Sequence, residues 1–397
     1  MAGPLTGLKV LDIATVIAGP FAAGLFADYG ADVTKIELPE KGDPIRDFPP
    51  FKEGKSLWWK VSNRSKDLVS LDLRREEGRK IFKKMLSGYD VLVENFRPGT
   101  LDSWDLPREI LWEIQPRLVI LRVTGFGQDG PYSDRPGFAR VFEAMSGLTY
   151  ITGHADREPL HMAYPLADPI GGVFGAAGVL AALWRIARDP NAKGEEIDLS
   201  MTEATFRLMD VLPAEFDQLG IVRERCGNGN LYSAPANVYR TADGKHVSLA
   251  GSTQGIFKAN LRAIDREDLA DDPRFSSNSV RVRNAHAIDS IFKDWIGCHT
   301  SKQVLKAFSD AGGAIAPVYS SADIAADPQF LARQAIVQVP DGDFGTIGMP
   351  CVVPRFTQTP TEVRHSAGPI GQSNARIYRE LGYSDADLDR LRDQGVI

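Results

Sequence analysis

The order of apolar and polar positions predicts a β-α-β unit at the start of the chain. Residues 8–13 form a short apolar run typical of a strand. Residues 21–29 carry apolar side chains at helical spacing, with Pro20 close to the first turn. Residues 31–37 then alternate between apolar and polar side chains, which predicts a second strand. The crossover between the two strands is expected to be right-handed.

The same pattern recurs along the next eighty residues. Residues 74–88 have the spacing of an amphipathic helix and lead to an apolar strand at 90–94. A second helix at 107–114 leads to a strand at 118–123. Four strands that alternate with helices indicate an α/β fold with a doubly wound, mostly parallel, Rossmann-like sheet.

The character of the sequence changes after residue 225. Residues 226–230 are rich in turn formers, and the segments 236–240 and 245–249 flank Thr-Ala-Asp-Gly as the two arms of a β-hairpin would. Two polar helices are predicted at 287–298 and 301–311. This mixture is typical of a smaller α+β domain.

We therefore predict two domains. The large Rossmann-like domain is expected to comprise residues 1–200 and 331–397, and the small domain residues 225–330. Residues 201–224 are expected to link them. With 397 residues, the chain is long enough to bury two such cores.

Composition narrows the classes of protein to which the chain can belong. Its formal net charge is −6, with lysine and arginine scattered along the chain, so no nucleic-acid partner is expected. Cys226, Cys298 and Cys351 form neither a CxxC pair nor a zinc-type cluster, so no metal site is expected. An odd number of dispersed cysteines is typical of a reducing cytoplasm.

The longest apolar stretch, residues 171–184, predicts a buried helix. It is rich in glycine and alanine, shorter than the roughly 20 residues that span a bilayer, and followed by Arg185 and Arg188. No basic flank precedes an apolar run near the first residue, so no targeting peptide is expected. We expect a cytoplasmic protein without a membrane partner.

The first strand-to-helix turn argues against a standard NAD site. Residues 14–19 lack the GxGxxG glycines, and Pro20 removes one backbone N–H where a pyrophosphate would bind. The turn either offers its remaining N–H donors to a phosphate or a reacting oxygen, or is a plain connection. Glu37, at the end of the second strand, is either a ribose ligand or a solvated strand end. No serine nucleophile elbow, HExxH motif or P-loop is present.

Asp168 is the only charged residue in the segment 164–172, directly before the long apolar helix. Such a carboxylate can be the N-cap of the helix. It can also be an ionised nucleophile, held near helix N–H donors, that attacks a thioester to give a mixed anhydride. The local pattern leaves both interpretations open.

The chain resembles the class III coenzyme A transferases, the family of formyl-CoA transferase and carnitine CoA-transferase, over nearly its whole length. The resemblance rests on the order of short segments, namely residues 4–12, 18–20, 30–37, 42–43, 95–99, 124–127, 130–131 and 166–172. Each segment is weak evidence alone, and together they are specific. By this resemblance Asp168 falls on the catalytic aspartate of the family, a role that is compatible with capping the helix.

The resemblance also implies which residues contact coenzyme A. Two backbone segments of such enzymes meet the pantetheine and thioester, and Gly125, Phe126 and Phe138 are further candidates. The residues that fall on the two segments are Val16, Ile17 and Ala18 and then Asn95, Phe96 and Arg97. Arg97 is a candidate to pair with a phosphate. The alternatives are a plain strand exit and a solvated arginine.

The chain departs from formyl-CoA transferase at two places. In that enzyme a mobile loop with several glycines covers the covalent intermediates, whereas the corresponding segment here is Gly251, Ser252, Thr253 and Gln254, with one glycine. We expect a stiffer loop in which Gln254 shields the site. Leu38 replaces an arginine that contacts the nucleotide, which leaves the phosphate contacts open.

A third difference separates two chemistries within the superfamily. The related α-methylacyl-CoA racemases use a histidine where this chain has Phe138, which cannot transfer a proton. His154 and His161 lie near Asp168 in sequence, and either can be a loop residue or contact it. Arg140 is a candidate for binding the distal carboxylate of an acceptor.

The resemblance predicts an acyl-CoA:carboxylate CoA-transferase without a permanently bound cofactor. Coenzyme A thioesters and carboxylic acids would be the substrates. Residues 135–147 resemble members that use dicarboxylates more than they resemble formyl-CoA transferase, which implies a succinyl-CoA-type donor and a dicarboxylate acceptor. Aspartyl anhydride and aspartyl-CoA thioester intermediates are expected, as is an interlocked homodimer. The alternatives are a racemase-like isomerase, a non-catalytic subunit of a heteromeric transferase and a nucleotide-binding oxidoreductase.

Overall fold

The computed structural model describes residues 3–397. The strands of this part of the chain are β1 (Lys9–Asp12), β2 (Asp32–Glu37), β3 (Phe51–Lys52), β4 (Lys55–Ser56), β5 (Asp67–Ser70), β6 (Val91–Glu94), β7 (Val119–Thr124), β8 (Glu195–Ser200), β9 (Ala236–Arg240), β10 (His246–Ala250), β11 (Ile315–Pro317), β12 (Ile336–Asp341) and β13 (Gly345–Pro350). Its helices are α1 (Ala18–Asp28), α2 (Leu57–Ser62), α3 (Glu76–Leu86), α4 (Thr100–Ser103), α5 (Arg108–Ile114), α6 (Ala139–Met145), α7 (Ala167–Arg188), α8 (Met201–Arg207), α9 (Leu212–Leu219), α10 (Gln254–Ala263), α11 (Asn278–Arg283), α12 (Ala285–Gly297), α13 (Ser301–Ala311), α14 (Ser321–Ala326), α15 (Pro328–Ala332), α16 (Asn374–Glu380) and α17 (Asp385–Asp393).

The chain divides into two compact units. The first comprises the chain up to Leu148, His161–Leu219 and Ala332–Ile397, and the second comprises Thr149–Leu160 and Gly220–Leu331. The segment 201–224, for which the sequence predicts a linker, contains α8 and α9, and both helices belong to the first unit. The exact domain boundaries stay a prediction.

The first unit is built on a six-stranded parallel sheet. Its strand order is β5-β2-β1-β6-β7-β8, and every neighbouring pair runs parallel. Counted within the sheet alone, the order is 3-2-1-4-5-6, which is that of the doubly wound dinucleotide-binding fold. The predicted α/β class with a doubly wound, mostly parallel sheet is confirmed, and the structure adds small antiparallel sheets to it.

Helices cover both faces of this sheet. On one face α1 and α7 pack against alternate strand residues such as Val91 and Val93. On the other face α3, α5 and the C-terminal α16 and α17 pack against the intervening residues, such as Leu92. Strands buried on both faces are typical of parallel sheets.

The long apolar helix α7 lies in the core of the first unit because glycines let it approach its neighbours closely. A Cβ atom on Gly172 would lie 2.7 Å from Phe21 Cδ1 and 3.1 Å from the Ala18 carbonyl oxygen, both on α1. A Cβ atom on Gly175 would lie 2.9 Å from Leu121 of β7. By length and composition α7 is also the one described helix that is apolar enough to cross a membrane, a test that core helices pass as well.

The sheet changes winding direction between β1 and β6, and ligands of doubly wound folds bind at the carboxyl ends of the strands at this point. Asn95, directly after β6, joins the two strand ends. Its Oδ1 accepts a hydrogen bond from the Thr15 N–H at 2.7 Å, and its Nδ2 donates to the Thr15 carbonyl at 2.8 Å. The carboxyl ends of β1 and β6 are thus held in register.

The second unit contains the predicted hairpin. Strands β9 and β10 pair antiparallel, and β11 adds to the free side of β10. Helices α10, α12 and α13 supply a separate apolar core around buried residues such as Phe257, Phe292 and Phe308. This unit has the α+β composition that the sequence predicts.

Candidate active site

A cavity of about 300 Å³ lies at the carboxyl ends of β1, β6 and β7. Nine of the residues that the sequence analysis selects line it: Val16, Ile17, Ala18, Asn95, Phe96, Arg97, Gly125, Phe138 and Asp168. They come from five separate segments that the doubly wound topology brings to one edge of the sheet. The cavity therefore unites the predicted nucleophile with most of its predicted surroundings.

Asp168 enters this cavity from the first turn of α7. The helix begins at Ala167, and its N-cap position is held by Leu166, which makes no side-chain capping bond. The N-cap interpretation of Asp168 is therefore wrong, because the residue is already inside the helix. Gly171 and Gly172 lie about one turn further along α7, and Gly172 is where α7 packs closely against α1.

Glu143 supports the start of α7 from the neighbouring helix α6. Its Oε1 accepts a hydrogen bond from the Ala167 N–H at 3.2 Å, and its Oε2 lies 3.3 Å from His161 Nδ1. The side chain of Glu143 is almost fully buried. The buried Glu143 carboxylate thus bonds the N–H of the residue before Asp168, and it takes the capping role that one interpretation of the sequence gave to Asp168.

Burial, and secondly the charge of Glu143, raises the pKa of Asp168 to about 7. One of the two interpretations of the sequence was an ionised carboxylate held near helix N–H donors. At neutral pH the free protein instead holds Asp168 as a mixture of acid and carboxylate. A strongly shifted pKa in a cavity marks a candidate catalytic group.

The start of α1 presents unpaired backbone donors to the same cavity. Within residues 3–397, the N–H groups of Ile17, Ala18 and Gly19 have no hydrogen-bond acceptor, and Pro20 has no N–H to offer. Ile17 and Ala18 line the cavity. Unpaired N–H groups at the positive end of a helix stabilise negative charge on a ligand oxygen.

Val16, which precedes these donors, adopts a left-handed backbone conformation with φ of 67°. This conformation is rare and strained for a β-branched residue. The Val16 N–H donates to Asp43 Oδ1 at 3.0 Å, and Asp43 forms an ion pair of 2.9 Å with Lys35. Lys35 Nζ also donates to the Ala14 carbonyl. The buried ion pair of Asp43 and Lys35 therefore stabilises the strained turn at Val16.

A second cavity of about 330 Å³ adjoins the first at the ends of β2 and β5. Thr15 and Phe96 line both cavities. The walls of the second cavity are mainly apolar and include Leu38, Leu71 and Leu73. Lys41 supplies positive charge at its rim, whereas Arg74, which also lines the cavity, is paired with Asp72 through two hydrogen bonds of 2.8 Å. Together the two cavities fit an elongated ligand with an apolar or aromatic end and anionic groups.

Comparison with known proteins identifies the family. The family model "CoA-transferase family III" matches residues 5–374. The chain belongs to CoA-transferase family III. It is an acyl-CoA:carboxylate CoA-transferase, as the sequence resemblance predicted.

Individual relatives match this transferase over almost its full length. It is 37% identical to the succinyl-CoA–D-citramalate CoA-transferase of Chloroflexus aurantiacus over 99% of this chain and 98% of the relative. It is 38% identical to the succinyl-CoA–L-malate CoA-transferase beta subunit of the same organism, with the same coverage. A crystal structure of a CAIB/BAIF family protein from Brucella suis matches with a TM-score of 0.83 and 30% identity, over 96% of this chain and 100% of that one.

Glu37 occupies a different place in the transferase from the other predicted site residues. It lines the second cavity, but both its carboxylate oxygens are already engaged. Oε2 accepts hydrogen bonds from Asp43 N–H at 2.9 Å and Arg46 Nε at 2.7 Å, and Oε1 accepts from Arg46 Nη2 at 2.8 Å. Glu37 therefore braces the wall of this cavity, and a contact with ribose stays a prediction.

Two further candidates lie outside the cavity lining. Phe126 packs its ring edge against Phe142 and Tyr132, so it supports the wall from behind. Arg140 is exposed on α6 and is not among the lining residues. Its proposed contact with a distal carboxylate is therefore not supported by the geometry of the first unit.

The loop predicted to shield the site is described within the second unit. Gly251, Ser252 and Thr253 precede α10, which begins at Gln254. The buried Arg281 donates to Gln254 Oε1 at 2.6 Å and to the carbonyls of Gly251 and Ser252. This anchoring accords with the stiffer loop expected from the single glycine, and the shielding role of Gln254 stays a prediction.

Glu143 and Arg135 lie in the segment 135–147 that suggested the dicarboxylate preference, but the sequence assigned neither residue a role of its own. Glu143 shares one helical face with the buried Ala139 and Phe142, so its place on an apolar face of α6 was a signal that it is buried. Arg135 lines the cavity from the loop between β7 and α6, where no periodic pattern exists to reveal it. No group of three histidine, cysteine or acidic side chains within residues 3–397 is arranged to hold a metal ion.

Proposed function

We propose that this transferase moves coenzyme A from a succinyl-CoA-type donor to a dicarboxylate acceptor, with Asp168 as the nucleophile. One observation carries the proposal. The Asp168 carboxyl group shares a cavity with the unpaired N–H groups of Ile17 and Ala18, so a nucleophile and donors for an oxyanion converge on one space.

In the first half of the reaction, an Asp168 carboxylate oxygen attacks the thioester carbonyl carbon of the donor. The carbon–sulfur bond breaks, and coenzyme A leaves as a thiolate. The thiolate then attacks the Asp168 carbonyl carbon of the mixed anhydride. The anhydride carbon–oxygen bond breaks, which releases the donor acid as a carboxylate and leaves an aspartyl-CoA thioester.

The second half repeats these steps with the acceptor. The acceptor carboxylate attacks the aspartyl-CoA thioester, coenzyme A leaves again as a thiolate, and a new mixed anhydride forms. The thiolate attacks the acceptor carbonyl carbon, which gives the product thioester and restores the Asp168 carboxylate. No net proton, electron or metal ion is required in either half.

The cavity supports this chemistry in two ways. Each attack places negative charge on a carbonyl oxygen, which the unpaired N–H groups of α1 can stabilise without rearranging. Partial burial raises the pKa of Asp168 and makes the ionised carboxylate less well solvated, and therefore more reactive, than an exposed one.

The two adjoining cavities together can accommodate coenzyme A, which is a long molecule. We place the adenine end in the apolar cavity lined by Leu38, Leu71 and Leu73, with Lys41 near the phosphates. The pantetheine chain would pass Thr15 and Phe96, which line both cavities, and bring the thioester to Asp168. Lys41 then compensates for the arginine that Leu38 replaces.

The choice of acids is supported by the relatives. The two Chloroflexus aurantiacus enzymes are named for succinyl-CoA as donor and for citramalate or malate as acceptor. Citramalate and malate are both hydroxylated dicarboxylates. We therefore infer a dicarboxylate acceptor for this chain as well.

Two alternative roles are weaker on specific grounds. A racemase-like mechanism needs a second acid or base, but none of the described residues that line the cavity is a histidine, and Phe138 cannot titrate. A non-catalytic subunit would not need a nucleophile, whereas this chain presents Asp168 in a formed cavity. The trapping experiment distinguishes both alternatives from the proposed transferase mechanism.

The test is to trap the covalent enzyme. Purified protein is incubated with succinyl-CoA alone, treated with hydroxylamine and analysed by peptide mass spectrometry. We expect a hydroxamate at Asp168, and none in Asp168→Ala. Asp294→Ala, which changes an exposed aspartate on α12, serves as the control that keeps the adduct.

Transfer by Asp168→Ala at the wild-type rate would overturn the mechanism. Exchange of an α-hydrogen with deuterium from solvent, without acyl transfer, would indicate the racemase. An inactive wild-type chain that becomes active only when mixed with a second polypeptide would indicate the subunit role. A panel of acyl-CoA donors and acids then identifies the preferred pair.

We also propose that the enzyme is a homodimer. The helix α7 exposes several large apolar side chains, including Val173 at 53% and Trp184 at 65% exposure, and such a surface on a protein in water indicates a partner. Light scattering should give a mass near 87 kDa, twice the chain mass of 43.5 kDa. A mass of one chain at micromolar concentration would contradict the proposal.

A further inference from the structure

The loop between β7 and α6 brings an arginine into the cavity that holds Asp168. Ser133, Arg135 and Pro136 line the cavity together with Asp168. Arg140, the arginine that the sequence suggested, lies five residues further on and is absent from the lining, although both arginines are exposed. The structure thus offers a different cation for an acidic substrate.

Aromatic rings fix the position of the Arg135 side chain. The guanidinium carbon lies 3.7 Å from the centroid of the Tyr132 ring. Tyr132 packs edge-to-face on Phe126, and Phe126 packs edge-to-face on the buried Phe142. A guanidinium group stacked on an aromatic ring keeps its N–H groups free to bind a carboxylate in its own plane.

The positive charge of Arg135 is not neutralised by the protein. Within residues 3–397, its side chain forms neither an ion pair nor a hydrogen bond with a carboxylate. Arg97 is the other arginine that lines the cavity, and it follows Phe96, which borders both cavities. Arg97 is therefore the one placed to meet the coenzyme, and Arg135 is left for a different anion.

A dicarboxylate brings such an anion. One carboxyl group reacts at Asp168, and the second would bring an additional negative charge into a partly apolar cavity that already contains an acidic residue. Charges in such surroundings are costly unless they are paired. A dicarboxylate substrate therefore requires a cation within the cavity, and a monocarboxylate does not.

We propose that Arg135 binds the distal carboxylate of the acyl group and so determines the preference of the enzyme for dicarboxylates. This assignment rests on the proposed function, because it presupposes that acids react at Asp168. It extends that function by naming the residue that distinguishes a dicarboxylate from a monocarboxylate of the same length. Tyr132 acts as the positioning residue for the guanidinium group.

The experiment compares succinyl-CoA with butyryl-CoA, which has the same number of carbon atoms but no distal carboxylate. The measured quantity is the ratio of their kcat/KM values with a fixed acceptor. We expect Arg135→Met to lower this ratio by about 10- to 100-fold, the typical effect of losing a charge-assisted, bidentate hydrogen-bonded pair. The kcat/KM for butyryl-CoA should stay within about twofold of wild type, because that substrate makes no charged contact there.

Three further variants test whether the charge, the geometry and the position of Arg135 cause the effect. Arg135→Lys should restore part of the ratio, because the charge returns without the planar, bidentate geometry. Tyr132→Leu should lower the ratio less than Arg135→Met does, because it removes only the stacking surface. Arg392→Gln, which changes an exposed arginine on α17, should leave both substrates unaffected.

The outcomes separate the arginine assignment from the proposed function. An equal loss for both thioesters in Arg135→Met would show that Arg135 binds coenzyme A and would overturn the assignment. A wild-type preference for succinyl-CoA that survives in Arg135→Met would also overturn it and leave the proposed function intact. A wild-type enzyme that forms no Asp168 adduct with either thioester would contradict the proposed function itself.

Discussion

The Asp43 carboxylate accepts a hydrogen bond from the Val16 N–H at 3.0 Å. Val16 is the residue of the turn between β1 and α1 that adopts a left-handed conformation. Asp43 is itself paired with Lys35, and both side chains are inaccessible to solvent. Although burial alone would raise the pKa of Asp43, the charge of Lys35 and the backbone donors outweigh this effect and lower it. Asp43 therefore remains a carboxylate and keeps the Val16 N–H engaged.

The first prediction follows from this relationship. Asp43→Ala should lower kcat/KM for succinyl-CoA at least tenfold, because Val16 loses the bond that offsets its strain and the following N–H donors of Ile17 and Ala18 lose their position. The variant should also be less stable by about 3–5 kcal/mol, because Lys35 becomes a buried charge without its partner. Steady-state kinetics and thermal unfolding measure the two effects.

A double variant separates stability from positioning. Lys35→Met combined with Asp43→Leu removes both charges and should recover much of the thermal stability. Activity should stay low, because no acceptor remains for the Val16 N–H. Recovery of activity along with stability would show that Asp43 serves the fold and not the active site.

The second prediction concerns the pH dependence of the reaction. The nucleophile must be ionised, and the pKa of Asp168 is raised to about 7 by burial and then by Glu143. Activity is therefore lost as pH falls through about 7, and kcat/KM should decrease about tenfold per pH unit below that value. Glu143→Gln removes the charge but not the burial, so its acid limb should shift to lower pH while staying above the ordinary aspartate pKa of 3.8.

Glu113→Gln, an exposed change on α5, should leave the acid limb in place and serves as the control for this pH profile. Two results would count against the assignment. One is a wild-type acid limb below pH 5, and the other is a limb that Glu143→Gln moves to higher pH.

The third prediction is that Asp168→Asn gives a more stable but inactive protein. A pKa raised from 3.8 to about 7 means that the ionised form is disfavoured in the fold, so stability is greatest at low pH and is lost as pH rises through about 7. The amide cannot ionise and avoids this loss. At pH 8 the gain has an upper limit of about 4 kcal/mol, and it should diminish toward zero near pH 4. Thermal unfolding at several pH values measures it.

Asp168→Glu is the control for this prediction, because it keeps an ionisable group and should show no comparable gain at pH 8. A variant Asp168→Asn whose advantage over wild type is constant from pH 5 to pH 8 would show that packing, and not charge, is responsible.

The sequence predicted the sheet well because strand and helix periodicities are local. The alternation in β2 indicated a strand, but it did not show that Thr34 and Lys35 are both buried. That follows from helices on both faces of the sheet, which is a property of the assembled fold. The buried charge pair of Lys35 and Asp43 could therefore not be predicted from the pattern alone.

The candidate site was predictable where family motifs mark it and not where distant segments meet. Asp168 stood out as a single charge ahead of an apolar helix, but its pKa is raised by burial and then by Glu143, which lies 24 residues before the first residue of α7. Arg135 lies in an irregular loop, so neither the helical nor the strand periodicity of side chains identifies it. Arg140 was selected instead because sequence distance cannot show which side of a short helix faces a cavity.

The last prediction concerns the contact between α1 and α7, which brings the nucleophile to the oxyanion donors. Gly172→Ala would place a Cβ atom 2.7 Å from Phe21 Cδ1 and 3.1 Å from the Ala18 carbonyl, too close for an ordinary contact. The two helix starts must then separate, and we expect a stability loss of about 1–3 kcal/mol and a lower kcat. Gly24→Ala on α1 is the matched control, because its Cβ would meet only the Ser62 carbonyl at 3.5 Å. That variant should keep wild-type activity and gain up to about 1 kcal/mol from helix propensity. Full kcat in a destabilised Gly172→Ala would show that chemistry does not depend on how closely α1 and α7 approach.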